Sequence, residues 1–317
     1  MSARFDGNGN HGNGPRMVGE PTVWDRVVVD ERLHAPPLKP RLLVTNDDGI
    51  DAPGLRGLAA RLAEDFEIVV VAPSSDMSGT GTALGRLDSQ AGVELRRVDM
   101  DGVQHAFTIE GPPGLAVVSA GLGAFGPKPD LVVSGVNAGM NTGHSVIHSG
   151  TVGAALTART LGIHGLAVSL AWSDTWHWET AFTVARSSAD WVLSHVGPRI
   201  VLNLNVPGLP LSGVKGIRWA DLDEFGYLRV ATADIPGERI EFELAGSTAG
   251  LDPASDTALC FDGYATVTLL SPVQPLPFPP ADPTEIWRPT SMQTTRKGSP
   301  TGASESRGWL QSSGSRG

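Results

Sequence analysis

Cysteine is almost absent from this sequence, which has one, Cys260, among 317 residues. A single thiol cannot form an internal disulfide framework, so the chain suits a reducing compartment. The N-terminus lacks the apolar core of a signal peptide, and no apolar run is long enough to span a bilayer. We therefore expect a soluble cytoplasmic protein with no membrane partner.

Positive charge is also scarce. The chain has 24 lysines and arginines against 34 aspartates and glutamates, which gives a net charge of −10. This balance argues against binding to a nucleic acid polymer, because such binding needs a basic face. A small anionic substrate remains compatible with it, since a local metal ion or a helix N-terminus can reverse the sign of the local field.

Several motifs of nucleotide and ester chemistry are missing. The sequence has no Walker A lysine motif and no Gly-x-Ser-x-Gly nucleophile elbow. The glycine-rich residues 79–84 end in leucine, where a dinucleotide-binding fingerprint requires glycine or alanine. The chemistry must therefore be sought in another arrangement of polar residues.

The chain is organised around residues 41–50, Arg-Leu-Leu-Val-Thr-Asn-Asp-Asp-Gly-Ile. The apolar run 42–44 predicts a buried strand, and the apolar residues within 55–62 recur at the spacing of one helix face. Asp47 and Asp48 thus lie between a strand and a helix, at the edge where open α/β sheets bind ligands. Two neighbouring carboxylates repel each other, so we infer that they hold a hard divalent metal. The alternative is a solvated Asp-Asp-Gly turn, which these residues favour for backbone reasons.

Apolar strands alternate with helical segments along most of the chain. We predict strands at residues 42–44, 67–72, 130–134, 165–170 and 199–206, weaker strands at 93–98 and 105–109, and helices at 55–62, 151–161 and 178–196. This alternation predicts a doubly wound α/β domain with a mostly parallel sheet flanked by helices. Short strands at 214–219, 227–232, 239–244 and 264–270 follow, which we interpret as a C-terminal β-rich extension or hairpin.

Composition divides the chain into three parts. Residues 1–38 are rich in glycine, asparagine and proline and read as a flexible leader. Residues 39–272 form the α/β domain, with the β-rich extension from about residue 210. Residues 273–317 are rich in proline, serine and glycine, and we expect a disordered tail.

Polar residues follow successive predicted parallel strands, and these strands end at the same edge of the sheet. The residues are Asp47 and Asp48, then Ser78, then Asn137 and Asn141, and finally the helix start Ser149, Gly150 and Thr151. Carboxylate, hydroxyl and amide oxygens suit Mg²⁺ or Mn²⁺. The exposed amides of a helix start favour an anion. A cation beside an anion-binding helix start is a layout for phosphate chemistry.

These residues also have ordinary structural explanations. Ser78 and Asn137 could simply hold turns. His144 and His148 are candidate general acids or bases, although a histidine in a loop is more often structural or solvated. A tryptophan cluster is interpreted as a hydrophobic cover or a dimer contact rather than a base-stacking platform; its members are Trp172, Trp176 and Trp178.

Several short motifs occur in a fixed order along the chain. They are Leu-Val-Thr-Asn-Asp-Asp-Gly-Ile at 43–50, Val-Ala-Pro at 71–73 with Ser-Gly at 78–79, Asp-Leu-Val-Val-Ser-Gly-Val-Asn-Ala-Gly at 130–139, His-Ser-Gly-Thr-Val at 148–152 and Leu-Asn-Leu-Asn-Val-Pro at 202–207. Together they resemble the SurE survival-protein family, over residues 41 to 272 approximately. The resemblance is specific because several motifs agree rather than one.

The resemblance implies a Rossmann-like α/β fold whose C-terminal β extension exchanges between the subunits of a homodimer or homotetramer. It also implies a divalent-metal-dependent phosphatase acting on nucleoside 5′- and 3′-monophosphates, and in some members on short polyphosphate. The family's metal ligands fall on Asp47, Asp48, Ser78 and Asn137, and its phosphate-contacting loop falls on Asn141, Ser149, Gly150 and Thr151. We also assign Asn46 and Gly79, which adjoin these ligands, to the substrate site.

We therefore predict a 5′-nucleotidase that uses one Mg²⁺ or Mn²⁺ ion per subunit to activate water, with Asp47 and Asp48 as the catalytic residues. Which aspartate acts as the base stays open. Two positions depart from the family pattern: residues 111–116 replace Gly-Thr-Pro-x-Asp-Cys, and His144 stands where an acidic residue is common. The first departure motivates an alternative, a catalytically weak nucleotide-binding or regulatory protein on the same scaffold. A nucleotide-sugar protein is a third alternative, which rests on fold analogy alone.

Overall fold

The computed structural model describes residues 39–85, 87, 92–224, 228–234, 241–246 and 250–272. The predicted leader at 1–38 and the predicted tail at 273–317 lie outside these residues, so both assignments stay predictions. None of the described helices is long and apolar enough to cross a membrane.

Most strands of the described residues belong to one mixed sheet. In chain order, the strands are β1 (Arg41–Thr45), β2 (Glu67–Pro73), β3 (Leu95–Arg97), β4 (Ala106–Ile109), β5 (Leu131–Ala138), β6 (His164–Leu170), β7 (Val201–Val206), β8 (Ile217–Trp219), β9 (Leu228–Asp234), β10 (Glu241–Gly246) and β11 (Ala265–Leu270). Nine of them form a sheet in the order β3-β4-β2-β1-β5-β6-β7-β11-β8. The central strands from β4 to β7 are all parallel, whereas β3 and β11 run antiparallel to β4 and β7.

Helices cover both faces of this sheet. They are α1 (Pro53–Ala63), α2 (Pro113–Gly121), α3 (Gly150–Thr160), α4 (Trp178–Ser194) and α5 (Asp256–Phe261). Side chains alternate across the buried strand β1: Leu42 and Val44 pack in the cluster that includes α1 and α4, and Leu43 packs in the cluster that includes α2 and α3. The predicted α/β fold with a mostly parallel sheet flanked by helices is therefore confirmed.

The C-terminal strands differ in part from the expected extension. β8 and β11, which cover the segments predicted at 214–219 and 264–270, belong to the main sheet. Only β9 and β10 form a separate antiparallel hairpin. The assignment of all four segments to an extension was wrong for these two strands, because β11 pairs with the buried strand β7 and β8 pairs with β11.

Candidate metal and phosphate site

The candidate site lies at one edge of the sheet, where three adjacent parallel strands end. β1 lies between β2 and β5. Asp47 and Asp48 follow β1, Ser78 lies in the loop after β2, and Asn137 is near the end of β5. The three segments predicted to supply ligands therefore meet at the same edge, as parallel strands require.

A tight turn after β1 presents the two aspartates. The Nδ2 atom of Asn46 donates a hydrogen bond to the carbonyl oxygen of Gly49 at 3.0 Å. Gly49 has a φ of 99°, in the left-handed region that glycine adopts readily. The amide of Met77 donates to the carbonyl oxygen of Asp47 at 2.7 Å, which ties the loop after β2 to this turn. The side chain of Asn46 is fully buried, so it supports the turn from behind.

One hydroxyl group joins two of the predicted metal ligands. The buried Oγ1 of Thr151 donates to Oδ1 of Asp47 at 2.5 Å and lies 3.4 Å from Oδ1 of Asn137. The Nδ2 atom of Asn137 donates to the carbonyl oxygen of Gly139 at 2.9 Å, which turns its Oδ1 toward Thr151. A hydroxyl has a single proton, and the charged carboxylate is the nearer acceptor. The Asn137 oxygen therefore keeps its lone pairs for another partner.

The start of helix α3 packs directly against Asp47. A Cβ atom added at Gly150 would lie 2.7 Å from Oδ2 of Asp47, so glycine is the residue that permits this approach. Ser149 caps the helix, since its Oγ accepts a hydrogen bond from the amide of Val152 at 3.1 Å. The positive end of the helix dipole is thus directed at the edge of the sheet that carries the aspartates.

Asp48 lies in a strongly negative environment. Burial, followed by the negative charges of Asp47 and Asp76, raises the pKa of the Asp48 carboxyl to about 6, and a hydrogen bond from the amide of Ala138 opposes this rise. Within the described part of the chain, the ion pairs include neither Asp47 nor Asp48. A cation at this position would therefore relieve an uncompensated repulsion.

Ser78 reaches the site through Asp76. Both the amide and the hydroxyl of Ser78 donate to Oδ1 of Asp76, at 2.8 and 2.6 Å. These two hydrogen bonds lower the pKa of the Asp76 carboxyl. Among the described hydrogen bonds, the Ser78 side chain contacts Asp76 and none of the predicted ligands Asp47, Asp48 and Asn137. Gly79 is exposed with a φ of 81°, and a Cβ there would meet open space.

The other predicted residues lie at different depths around this edge. Asn141 is half-buried, and its Nδ2 donates to Oγ of Ser169 at 2.9 Å. His144 and His148 are exposed on a short 3-10 helix, Gly143–His148. The tryptophans divide in two: Trp176 and Trp178 stack at 5.0 Å against the core, which fits a hydrophobic cover, whereas Trp172 is 69% exposed.

The donor atoms at this edge fit a hard divalent cation. Asp47 and Asp48 offer carboxylate oxygens, Asn137 an amide oxygen and Ser78 a hydroxyl oxygen. No group of three or more His, Cys, Asp and Glu residues is arranged to hold a metal anywhere in the described ranges. A cation here would therefore depend on a mixed set of carboxylate, amide and hydroxyl oxygens, with water completing its shell.

Three further residues close to the site were not predicted. Asp76 contributes charge, whereas Asn205 and Asp256 bind the main chain of the loop between β5 and α3. Asn203 and Asn205 are polar residues within an otherwise apolar strand and belong to the motif at 202–207, a signal that could have placed them near the site. Asp256 gives no such signal, because it lies 113 residues from its partner Gly143.

The sequence is similar to those of known proteins of one family. The family model described as "Survival protein SurE" matches residues 42–227. A 5′-nucleotidase SurE of Nitrosococcus oceani is 43% identical over 171 residues, which are 54% of this chain and 65% of that protein. A 5′-nucleotidase SurE of Pseudomonas entomophila is 35% identical over 235 residues, which are 73% of this chain and 91% of that protein.

A solved structure extends the likeness to the fold. The crystal structure of the SurE protein from Aquifex aeolicus superposes with a TM-score of 0.62 at 30% sequence identity, covering 73% of this chain and 93% of that one. The family match spans more than half of the sequence and includes the turn after β1, the end of β5 and the start of α3. The chain belongs to the SurE family.

Proposed function

We propose that this protein is a divalent-metal-dependent phosphomonoesterase that hydrolyses nucleoside 5′-monophosphates, with 3′-monophosphates and short polyphosphate as further substrates. The position of the Thr151 hydroxyl carries this proposal, because at the start of a helix it donates to the Asp47 carboxylate and lies 3.4 Å from the Asn137 amide oxygen. Ligands for a cation and amides for an anion are thus adjacent. The names of the SurE relatives, which are nucleotidases, support the same activity.

In this proposal some residues hold the metal ion and others bind the phosphoryl group. Asp47, Asp48, Asn137 and Ser78 would hold Mg²⁺ or Mn²⁺. When bound, such an ion neutralises phosphoryl charge and acidifies a water molecule. Thr151 keeps Asp47 in one orientation, and the amides at the start of α3 hold the phosphoryl oxygens.

A metal-restoration assay tests the proposal. The protein is stripped with a chelator and assayed on nucleoside 5′- and 3′-monophosphates before and after Mg²⁺ or Mn²⁺ is added. We expect activity only after metal is restored, and a loss of at least about a hundredfold in kcat/KM for Asp47→Asn. Equal activity of the two proteins, or activity without metal, contradicts the mechanism. Nucleotide binding without phosphate release would instead favour a binding or regulatory protein.

A further inference from the structure

The loop between β5 and α3, residues 139–149, is held by residues from distant parts of the chain. The amide of Asn141 donates to Oδ1 of Asn205 at 2.8 Å. The carbonyl oxygen of Asn141 accepts hydrogen bonds from Nδ2 of both Asn203 and Asn205, each at 2.9 Å. Both of these asparagines are buried in β7, so they fix the main chain of the loop at one point.

A buried carboxylate fixes the same loop at a second point. Asp256 is fully buried at the start of α5, and the amide of Gly143 donates to its Oδ2 at 3.0 Å and its Oδ1 at 3.2 Å. Its Oδ1 also accepts from the amides of Asp223 and Thr257, at 3.0 and 2.8 Å. The carbonyl oxygen of Asp223 in turn accepts from the amide of His144 at 3.0 Å.

The composition of the loop explains why it needs such anchors. Gly139 and Gly143 have φ values of 134° and 62°, and glycine has more conformational freedom to lose than any other residue. The 3-10 helix Gly143–His148 fixes part of the loop, and contacts from distant parts of the chain fix its entry at Asn141 and Gly143. The loop lies between Asn137 and Ser149, the last predicted metal ligand and the cap of α3. A more mobile loop would therefore displace both Asn137 and Ser149.

We propose that Asp256 is a positioning residue for the phosphate site: its carboxylate holds the loop at Gly143 and thereby places Asn141 and the start of α3 for substrate. This inference rests on the proposed function. Asp256 touches neither metal nor substrate and acts through the loop. It also joins Asp223 and Thr257, which precede and follow the β9–β10 segment, to the same loop.

The substitution Asp256→Asn distinguishes the contact of this carboxylate with the loop from its contacts around the start of α5. With its oxygen at the position of Oδ1, asparagine still accepts from the amides of Asp223 and Thr257. Its amide nitrogen then replaces Oδ2, the nearer acceptor of the Gly143 N–H, so that this N–H faces a donor and keeps only the longer contact of 3.2 Å with the oxygen at the position of Oδ1. The variant therefore weakens the contact with the loop while it keeps the contacts around α5.

Ser255→Ala is the matched control. Oγ of Ser255 caps the same helix by accepting from the amide of Ala258 at 3.2 Å, and its removal weakens α5 without touching the loop. The full-length variants are compared by amide hydrogen exchange of the peptide covering 139–149, by steady-state kinetics on a nucleoside 5′-monophosphate, and by calorimetric titration with Mn²⁺. Exchange measures the loop independently of activity.

We expect Asp256→Asn to speed exchange in residues 139–149 and to raise KM about tenfold, with Mn²⁺ affinity within about twofold of wild type. Ser255→Ala should lower the melting temperature but leave the loop exchange and KM unchanged. If the two variants agree in loop exchange and KM, Asp256 only supports its helix and the proposal is overturned. If Asp256→Asn does not fold, Asn205→Thr, which removes the other anchor with a residue that suits a strand, must show the same increases.

The proposed function and this inference can fail separately. If wild-type protein hydrolyses no monophosphate with metal restored, the proposed function fails, and the exchange comparison alone then decides whether Asp256 holds the loop. If wild type is active and Asp256→Asn exchanges and reacts like wild type, the positioning role fails while the phosphatase stands.

Discussion

Glycine at position 150 lets a helix start approach a buried carboxylate. A side chain there would place its Cβ 2.7 Å from Oδ2 and 2.8 Å from Cβ of Asp47, which is only 3% exposed. The φ angle of Gly150 is not in the left-handed region, so alanine would be strained by space rather than by backbone conformation. Glycine is therefore required at position 150 for the close approach of α3 to Asp47 and not for its backbone conformation.

We predict that Gly150→Ala lowers kcat/KM and Mn²⁺ affinity by roughly ten- to a hundredfold, because overpacking at a buried contact costs about 1–3 kcal/mol. Steady-state kinetics and calorimetric titration measure both quantities. Gly213→Ala is the control, since a Cβ at that position would meet its nearest neighbour at 3.6 Å, an ordinary contact. Wild-type kinetics for Gly150→Ala would show that Asp47 can move and that the close approach has no role.

The raised pKa of Asp48 predicts how the metal-free protein responds to pH. A carboxyl whose pKa is raised on folding stabilises the folded state while it is protonated, below its ordinary pKa, and this stabilisation is lost as pH rises through about 6. We expect Asp48→Asn to remove this dependence. In chelator, the variant should be more stable than wild type by about 1–2 kcal/mol near pH 7.5, after allowance for solvent screening, and nearly equal near pH 3.

Urea unfolding across this pH range measures the difference. Carboxyls that do not interact with Asp48 titrate in both proteins and therefore cancel in the comparison. A difference between wild type and Asp48→Asn that stays constant with pH would contradict the negative environment inferred for Asp48.

Among the elements, periodicity predicted those that are amphipathic or long. Helix α1 buries Leu55, Leu58 and Leu62 on one side, which is the pattern that the sequence displays. Helix α2 escaped prediction because it is apolar nearly all round: it begins at Pro113 after Pro112 and buries most of its nine residues. Helix α5 has six residues, too few for a period to show.

A comparison of the N-caps of α3 and α5 separates an effect on stability from an effect on activity. Ser149 and Ser255 cap α3 and α5 in the same way, each accepting from the amide three residues ahead. We predict that Ser149→Ala and Ser255→Ala each cost about 1 kcal/mol of unfolding free energy. Only Ser149→Ala should also lower kcat/KM, by about tenfold, because the start of α3 is the proposed anion site.

Thermal or urea unfolding and kinetics on the two variants test this pair. Equal kinetics in both would mean that the start of α3 does not contact substrate. A large stability difference between them would mean that one serine does more than cap its helix.

At the scale of the whole molecule, local sequence predicts which segments are strands but not which strands are neighbours. Parallel strands end at the same edge of a sheet whatever their order, and the three ligand-bearing loops were therefore predicted to share an edge. The pairing of β11 with β7 joins Thr266 to Asn205, and nothing in either segment specifies it. The hydrogen bond between Asp256 and Gly143 cannot be predicted from the sequence for the same reason. It forms only when α5 has packed near the loop between β5 and α3 in the folded chain.

Metal binding should raise the free energy of unfolding of the whole domain. The proposed ligands come from the turns after β1 and β2 and from the end of β5, which are brought together only in the folded chain. A ligand that binds the folded state alone stabilises it by about 2.7 kcal/mol at a hundred times its dissociation constant. For a domain of this size, that corresponds to a rise of about 5–10 °C in melting temperature. We predict this rise for wild type with Mn²⁺ at that excess, measured by scanning calorimetry, and little or none for Asp47→Asn. An equal rise in both proteins would place the ion elsewhere, whereas a rise in wild type alone would tie the cation to the carboxylate that Thr151 holds.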